Sequence, residues 1–138
     1  MQRHQLYGWL ILVGSVCGST PIWADTPQQL LDGYKAEAQA ESPDFNSFDP
    51  QRGEQFFNKT HANDWSCATC HTSNPAAMGK HDKTAKSIEP LAPSANAERF
   101  TNPKKVEKWF KRNCNDVLER TCTSLEKGDV LTYLLSIQ

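Results

Sequence analysis

Charge of one sign, methionine and long apolar runs are all scarce in this chain. Its 138 residues carry 15 basic and 16 acidic side chains, a formal net charge of −1, and so balanced a chain has no electrostatic footprint for nucleic acid. No apolar run reaches the roughly 20 residues that a membrane-spanning helix needs. Strand pairs, internal repeats and a βαβ pattern are not evident, which removes support for a thioredoxin-like architecture. Of two methionines, only Met78 lies beyond the N-terminal region.

What that region contains is short and directional. Arg3 and His4 precede an apolar run from Leu6 to Val16, and small or weakly polar residues lead to Ala24 before the first acid, Asp25. This is the shape of a secretory signal peptide over residues 1–24, with Ile22 a slightly large residue two positions before the cleavage point. The run is too short to anchor the chain comfortably in a membrane. Lipid attachment at Cys17 is disfavoured because bulky Val16 stands where a small residue is expected. Residues 25–138 then form one exported domain, expected in the periplasm with no stable membrane insertion. Arg3 is the sole charged side chain lost with the leader besides the histidine, which leaves the mature chain near −2.

Five cysteines sort themselves by spacing. Cys67-Ala68-Thr69-Cys70-His71 has the arrangement that attaches a haem covalently. Each thiol can add to one vinyl group, the two-residue spacer keeps both sulfurs under the same porphyrin edge, and His71 falls beneath the iron as its proximal ligand. A zinc site would want two more ligands at finger-like spacing, and Cys114 and Cys122 are distant and spaced differently. With Cys17 removed and Cys67 and Cys70 given to one haem c, Cys114 and Cys122 remain. In an oxidising compartment they are expected to join. The bond closes a loop of about nine residues, a stabilisation of roughly 2.6 kcal/mol in the chain-entropy account.

Helix signals fill most of the remainder. Thr26-Pro27 is a cap followed by a first-turn proline, and Leu30, Leu31, Tyr34 and Ala38 recur at helical spacing, predicting a helix over 28–40. Gly33 weakens it by up to about 1 kcal/mol. Asp49-Pro50 repeats the signal for a helix to about Lys59, with Gly53 and Phe57 four apart on one face, resembling the first helix of small class I c-type cytochromes. Residues 72–84 read as polar loop. Ile88, Pro90, Leu91 and Pro93 make a stiff extended segment, either one wall of a haem pocket or a surface loop with a few buried anchors. Asn102-Pro103 starts a helix to Asn113 or Asn115, on which Val106, Trp109, Phe110 and Asn113 share a face; seven positions return Asn113 to within about 20° of Val106. Thr123 with Glu126 forms a capping box for a last helix, whose buried face is Gly128, Leu131, Leu134 and Leu135, flanked by Tyr133. This helix should cross the Asp49 helix, with Gly53 or Gly128 allowing close contact. The fold class is therefore all-α, a small helical domain wrapped around one covalently attached haem.

The residue opposite His71 decides what the haem does. Met78 is only seven residues beyond His71 in a polar loop, and His61 and His81 also lie in hydrophilic surroundings. Asn113 is the unusual candidate: an amide on a buried stripe must be satisfied, either as a core or helix-ending group or as a ligand.

Several runs bear on that choice. Lys86-Ser87-Ile88-Glu89-Pro90-Leu91-Ala92-Pro93-Ser94, Arg99-Phe100-Thr101, Val106-Glu107-Lys108-Trp109, Arg112-Asn113-Cys114-Asn115 and Cys122-Thr123 resemble the sphaeroides haem protein (SHP) family of monohaem class I-type cytochromes c. The resemblance implies His71 as proximal ligand, Asn113 as a distal ligand in the ferric state that leaves on reduction, and Cys114 with Cys122 as the matching disulfide. It further implies a dihaem cytochrome c and a membrane cytochrome b as electron-transfer partners. Phe57, Ile88, Leu91, Trp109 and Phe110 are the expected packing around the haem. An amide oxygen is a hard, neutral, weak donor that suits ferric iron better than ferrous. Its loss on reduction would open the sixth position to O2, NO or CO.

Two other readings remain at this point. One is a plain electron shuttle with Met78 or His81 permanently on the iron. The other is an oxygen or nitric oxide reductase, for which no distal histidine or carboxylate is identifiable. Lys80, Lys83, Lys86 and the basic face of the Asn102 helix offer a docking surface for an acidic partner. Neutralising several of these lysines is expected to slow electron transfer at low salt, and unchanged rates in stopped-flow mixing would remove the docking idea.

Overall fold

The computed structural model describes residues 26–62 and 64–138; the expected signal peptide over 1–24 and Cys17 lie outside them. Five helices follow in order: α1 (Pro27–Glu41), α2 (Pro50–Asn58), α3 (Cys67–His71), α4 (Pro103–Leu118) and α5 (Ser124–Ser136). Between α3 and α4 come two short strands, β1 (Gly79–Lys80) and β2 (Ser87–Ile88). Three helices start on a polar cap followed by proline. Asp49 accepts from the amides of Gln51 and Arg52 at 2.7 and 3.2 Å, and Asn102 accepts from that of Lys105 at 3.0 Å. Thr26 forms a reciprocal box with Gln29. Thr123 and Glu126 form the same device at α5. In each case the cap satisfies donors that the first helical turn leaves free.

Helix α5 is the centre of the protein. Gly128, Asp129, Val130, Leu131, Tyr133 and Leu134 are all buried on it, more than the single face expected from the sequence. Leu131 packs with Leu30 and Tyr34 of α1 and Val106 of α4. On the other side Val130, Tyr133 and Leu134 pack with Phe57 of α2.

Helix α2 crosses α5 at Gly53. A Cβ built there would stand 2.1 Å from the carbonyl oxygen of Asp129, so only glycine permits the approach. Gly128 does a different job: its missing Cβ makes room for the ring of Phe48 in the α1–α2 connector, 2.1 Å from where that atom would lie. Asp129 is 3 % exposed. It accepts from the Arg52 guanidinium, including Nη2 at 2.7 Å, and from the Asp49 amide at 2.9 Å. A buried carboxylate needs such partners, because desolvating it unpaired would cost several kcal/mol.

Two sequence expectations change. No strand pair was evident, yet β1 and β2 pair antiparallel with Gly79 opposite Ile88 and Lys80 opposite Ser87. Two residues per strand are too few to print an alternation on the sequence. Helix α4 runs past Asn115 to Leu118 and ends on Glu119 in the left-handed region at φ 58°. No proline or glycine stops it earlier, and Val117, eleven residues or about three turns after Val106, carries the buried stripe about one turn beyond Asn113. Among the described residues no helix is long and apolar enough to cross a membrane.

Gly53→Ala is expected to destabilise the holoprotein by about 1–3 kcal/mol, since the helices must separate to admit the methyl group. Gly33→Ala, with nothing within 4 Å of the added carbon, should instead stabilise by up to about 1 kcal/mol. Thermal melts distinguish them, and a shift of the same sign in both would remove the crossing role of Gly53.

Candidate haem centre

Ser66 starts the single turn α3. Its Oγ accepts from the Thr69 amide at 3.1 Å while Thr69 Oγ1 accepts from the Ser66 amide at 2.9 Å. Residues three and four apart share a helix face, so this turn groups Cys67, Cys70 and His71. Neither cysteine is in a disulfide. Burial pushes the Cys67 thiol up to about 12, which keeps it protonated at neutral pH. Burial, reinforced by the Arg99 guanidinium, lowers the His71 imidazole to about 4. It is therefore neutral, with a nitrogen lone pair free to bind a metal. The ring lies 6.3 Å from that of Phe57, which the α2–α5 crossing holds in place.

The hairpin closes over this turn from the other side. A Cβ on Gly79 would lie 2.4 Å from the Cys70 carbonyl oxygen, and the Asp82 amide sits 3.4 Å from Cys70 Sγ. Beyond β2 the proline-rich segment is tied back by the amides of Leu91 and Ala92, which donate to the Pro75 carbonyl at 2.8 and 2.9 Å. Arg99 donates to the carbonyls of Pro90 and Glu89 at 2.8 and 2.7 Å.

These elements surround a cavity of about 500 Å³. Cys67, Cys70 and His71 of α3 open onto it, as do Phe56 and Phe57 of α2 and Val130 and Leu134 of α5. Ile88 and Leu91 line it from the extended segment, and Trp109, Phe110, Asn113 and Val117 from α4. The bonded pair Cys114–Cys122, with Cα atoms 5.6 Å apart, borders it beside Asn113. The fit to a haem is chemical as well as spatial. Two free thiols and a neutral imidazole share one turn, the other walls are largely aliphatic or aromatic, and Lys86, Arg99 and Arg112 supply positive charge for carboxylates.

Every residue expected to pack on the haem or ligate it thus stands on one cavity. The competing ligands do not share that placement uniformly. Met78 is 50 % exposed and lies outside the lining. His61 is outside too, its Nε2 3.0 Å from the Phe56 carbonyl. His81 does reach the cavity, on the hairpin packed against α3. Sequence reasoning assigned no role to Phe56, Trp65, Arg99 or Val117, which also line it. Arg99 stood in one of the resembling runs and Trp65 two residues before Cys67, which were the signals available.

Fold and site together define a monohaem c-type cytochrome, with one haem attached covalently. A family model described as a domain of unknown function (DUF1924) matches residues 43–134. Cytochrome c-type protein SHP of Cereibacter sphaeroides is 40 % identical over 130 residues, 91 % of this chain and 95 % of the relative. Cytochrome c'' of Methylophilus methylotrophus is 37 % identical over 133 residues, 92 % of each. The crystal structure of oxidised cytochrome c'' superposes with a TM-score of 0.74 at 37 % identity, over 81 % of this chain and 94 % of that one. The structure of oxidised SHP, described as an oxygen-binding cytochrome c, superposes with 0.71 at 42 % identity, over 79 % and 95 %. The chain belongs to the DUF1924 family and to the monohaem cytochromes represented by SHP and cytochrome c''.

The denatured protein is expected to keep one haem per chain by mass. Cys67→Ala with Cys70→Ala should release it into acidified acetone, and retention by that double variant would place the attachment elsewhere.

Proposed function

We propose that this is an exported cytochrome that transfers single electrons and uses reduction to open its haem to a diatomic gas. Cys67 and Cys70 hold the haem through thioethers, and His71 is its proximal ligand. Asn113 is the distal ligand of the ferric state and leaves on reduction. The observation that carries this reading is the position of Asn113: half-buried on α4, lining the same cavity as the thiols and His71, while the lone methionine beyond the leader lies outside it. The names of the relatives agree with it, since SHP is called oxygen-binding and cytochrome c'' has a solution structure concerned with haem-ligand detachment.

The haem supplies a one-electron couple and, with its sixth position open, a site for O2, NO or CO. Everything else falls to the chain. The Asn113 amide oxygen favours the oxidised iron as a hard donor and so lowers the reduction potential. Once released, its amide nitrogen is a hydrogen-bond donor beside the open position. The disulfide at Cys114 keeps the released residue close to the cavity. Electrons would come from a dihaem cytochrome c and a membrane cytochrome b in the periplasm. The exposed Lys80, Lys83 and Lys86, with Lys104, Lys105, Lys108 and Lys111 on α4, are the surfaces for them.

A permanent ligand at His81 is the second reading, because that side chain also lines the cavity. Against it, the hairpin is pressed onto α3 through Gly79, on the wall that already holds His71.

Anaerobic visible spectra of the ferric and ferrous holoprotein test the choice. A low-spin ferric form that turns high-spin on reduction, and loses its low-spin ferric signal in Asn113→Ala, is the expected result. A ferrous form that stays low-spin and ignores the substitution would end the proposal. His81→Ala would then be the informative variant.

A further inference from the structure

Besides the packing of Val106 and Phe110, helix α4 is tied to the rest of the protein by two clamps that bracket Asn113. Seven residues apart on the helix, they are of different kinds. At Glu107, one carboxylate oxygen accepts from the hydroxyl of Tyr34 on α1, and the other accepts from Lys127 Nζ on α5 at 2.8 Å. The same ammonium lies 5.1 Å from the centre of the Tyr34 ring. At Cys114, the attachment is the covalent bond to Cys122, just ahead of α5.

Tyr34 is 3 % exposed. Burial first, then Glu107, holds its hydroxyl above the ordinary tyrosine range, so it remains a donor. Its ring meets Phe110 edge-on at 6.1 Å, and Phe110 lines the cavity one turn before Asn113. Glu107 has no cavity contact of its own; its two partners tie α4 to α1 and α5 at once.

A single tether leaves a helix free to roll, and a second removes that freedom. At a side-chain radius of about 5–6 Å, a roll of about 10° carries the tip of a side chain about 1 Å. Metal–ligand bonds tolerate only about 0.2 Å. Whatever fixes the roll of α4 therefore fixes whether the amide at position 113 can reach a metal.

We propose that Tyr34, Glu107 and Lys127 form a polar clamp that sets the roll of α4 and so the strength with which Asn113 holds ferric iron. Tyr34 and Glu107 are positioning residues, acting through Asn113 rather than touching the haem. The inference rests on the reading of Asn113 as distal ligand. Loosening the clamp favours the ligand-off state in both oxidation states, which weakens the preference for ferric iron and raises the midpoint potential.

The experiment is a cycle of Tyr34→Phe and Glu107→Gln holoproteins, each made with Asn113 present and with Asn113→Ala. Ferric spin state and midpoint potential are read in all of them. With Asn113 present, both substitutions should raise the ratio of high-spin to low-spin ferric protein about three- to tenfold. The potential should rise by up to about 59 mV, the one-electron equivalent of tenfold. In the Asn113→Ala background both shifts should vanish. If the potential shift persists there, the clamp acts on the haem electrostatically and the positioning role is wrong. No shift with Asn113 present overturns it equally. Should Asn113→Ala alone leave the ferric spectrum untouched, the ligand reading falls first and the clamp with it. Lys127→Met repeats the comparison from α5, in case the α1 or α4 variants fail to accumulate.

Discussion

A buried carboxylate and an absent methyl group hold this protein together. Asp129 lies inside the fold with its acceptors filled from one end of α2, by the guanidinium of Arg52 and the amide of Asp49. Gly53 lets the two helices come close enough for those bonds to form. Separating them would expose an apolar interface and leave a charge without its partner, so the crossing resists being loosened by halves. Phe57, one turn beyond Gly53, is thereby fixed against Tyr133 at 5.7 Å and beside His71. The surroundings of His71 descend from a contact between residues separated by 77 positions in the chain.

The two sides of the cavity are built by different means. On the side of α3, backbone lies directly on backbone: Gly53 against Asp129, and Gly79 against Cys70. Helix α4 is held over the cavity mainly by side chains and one disulfide, through Val106, Glu107, Phe110 and Cys114. Backbone contacts through glycine cannot yield without breaking, whereas side-chain contacts can rearrange among rotamers. That division leaves one wall of the cavity rigid and the other able to adjust.

Much of this was legible in the sequence where the physics is local. Cap-and-proline pairs at Thr26, Asp49 and Asn102 marked helix starts because both residues act within one turn. The spacing of Cys67, Cys70 and His71 placed three groups on one face for the same reason. Gly53 was legible as a crossing point, though not as distinct from Gly128, because only the partner surface tells backbone from an aromatic ring. The hairpin at 79–88 was missed, being two residues deep on each side. Asp129 carried no expectation, and the partnership of Tyr34 with Glu107 spans 73 residues, beyond any periodicity. Arg99 gave no sign of facing the cavity, since its direction is set by the carbonyls of Glu89 and Pro90.

Gly79 also restricts what the hairpin can become. A Cβ there would lie 2.4 Å from the Cys70 carbonyl oxygen, and the Asp82 amide sits on the Cys70 sulfur. Any larger residue at 79 would push the strand off the turn and carry that amide away with it, so the surroundings of one thiol depend on a missing side chain further along the chain.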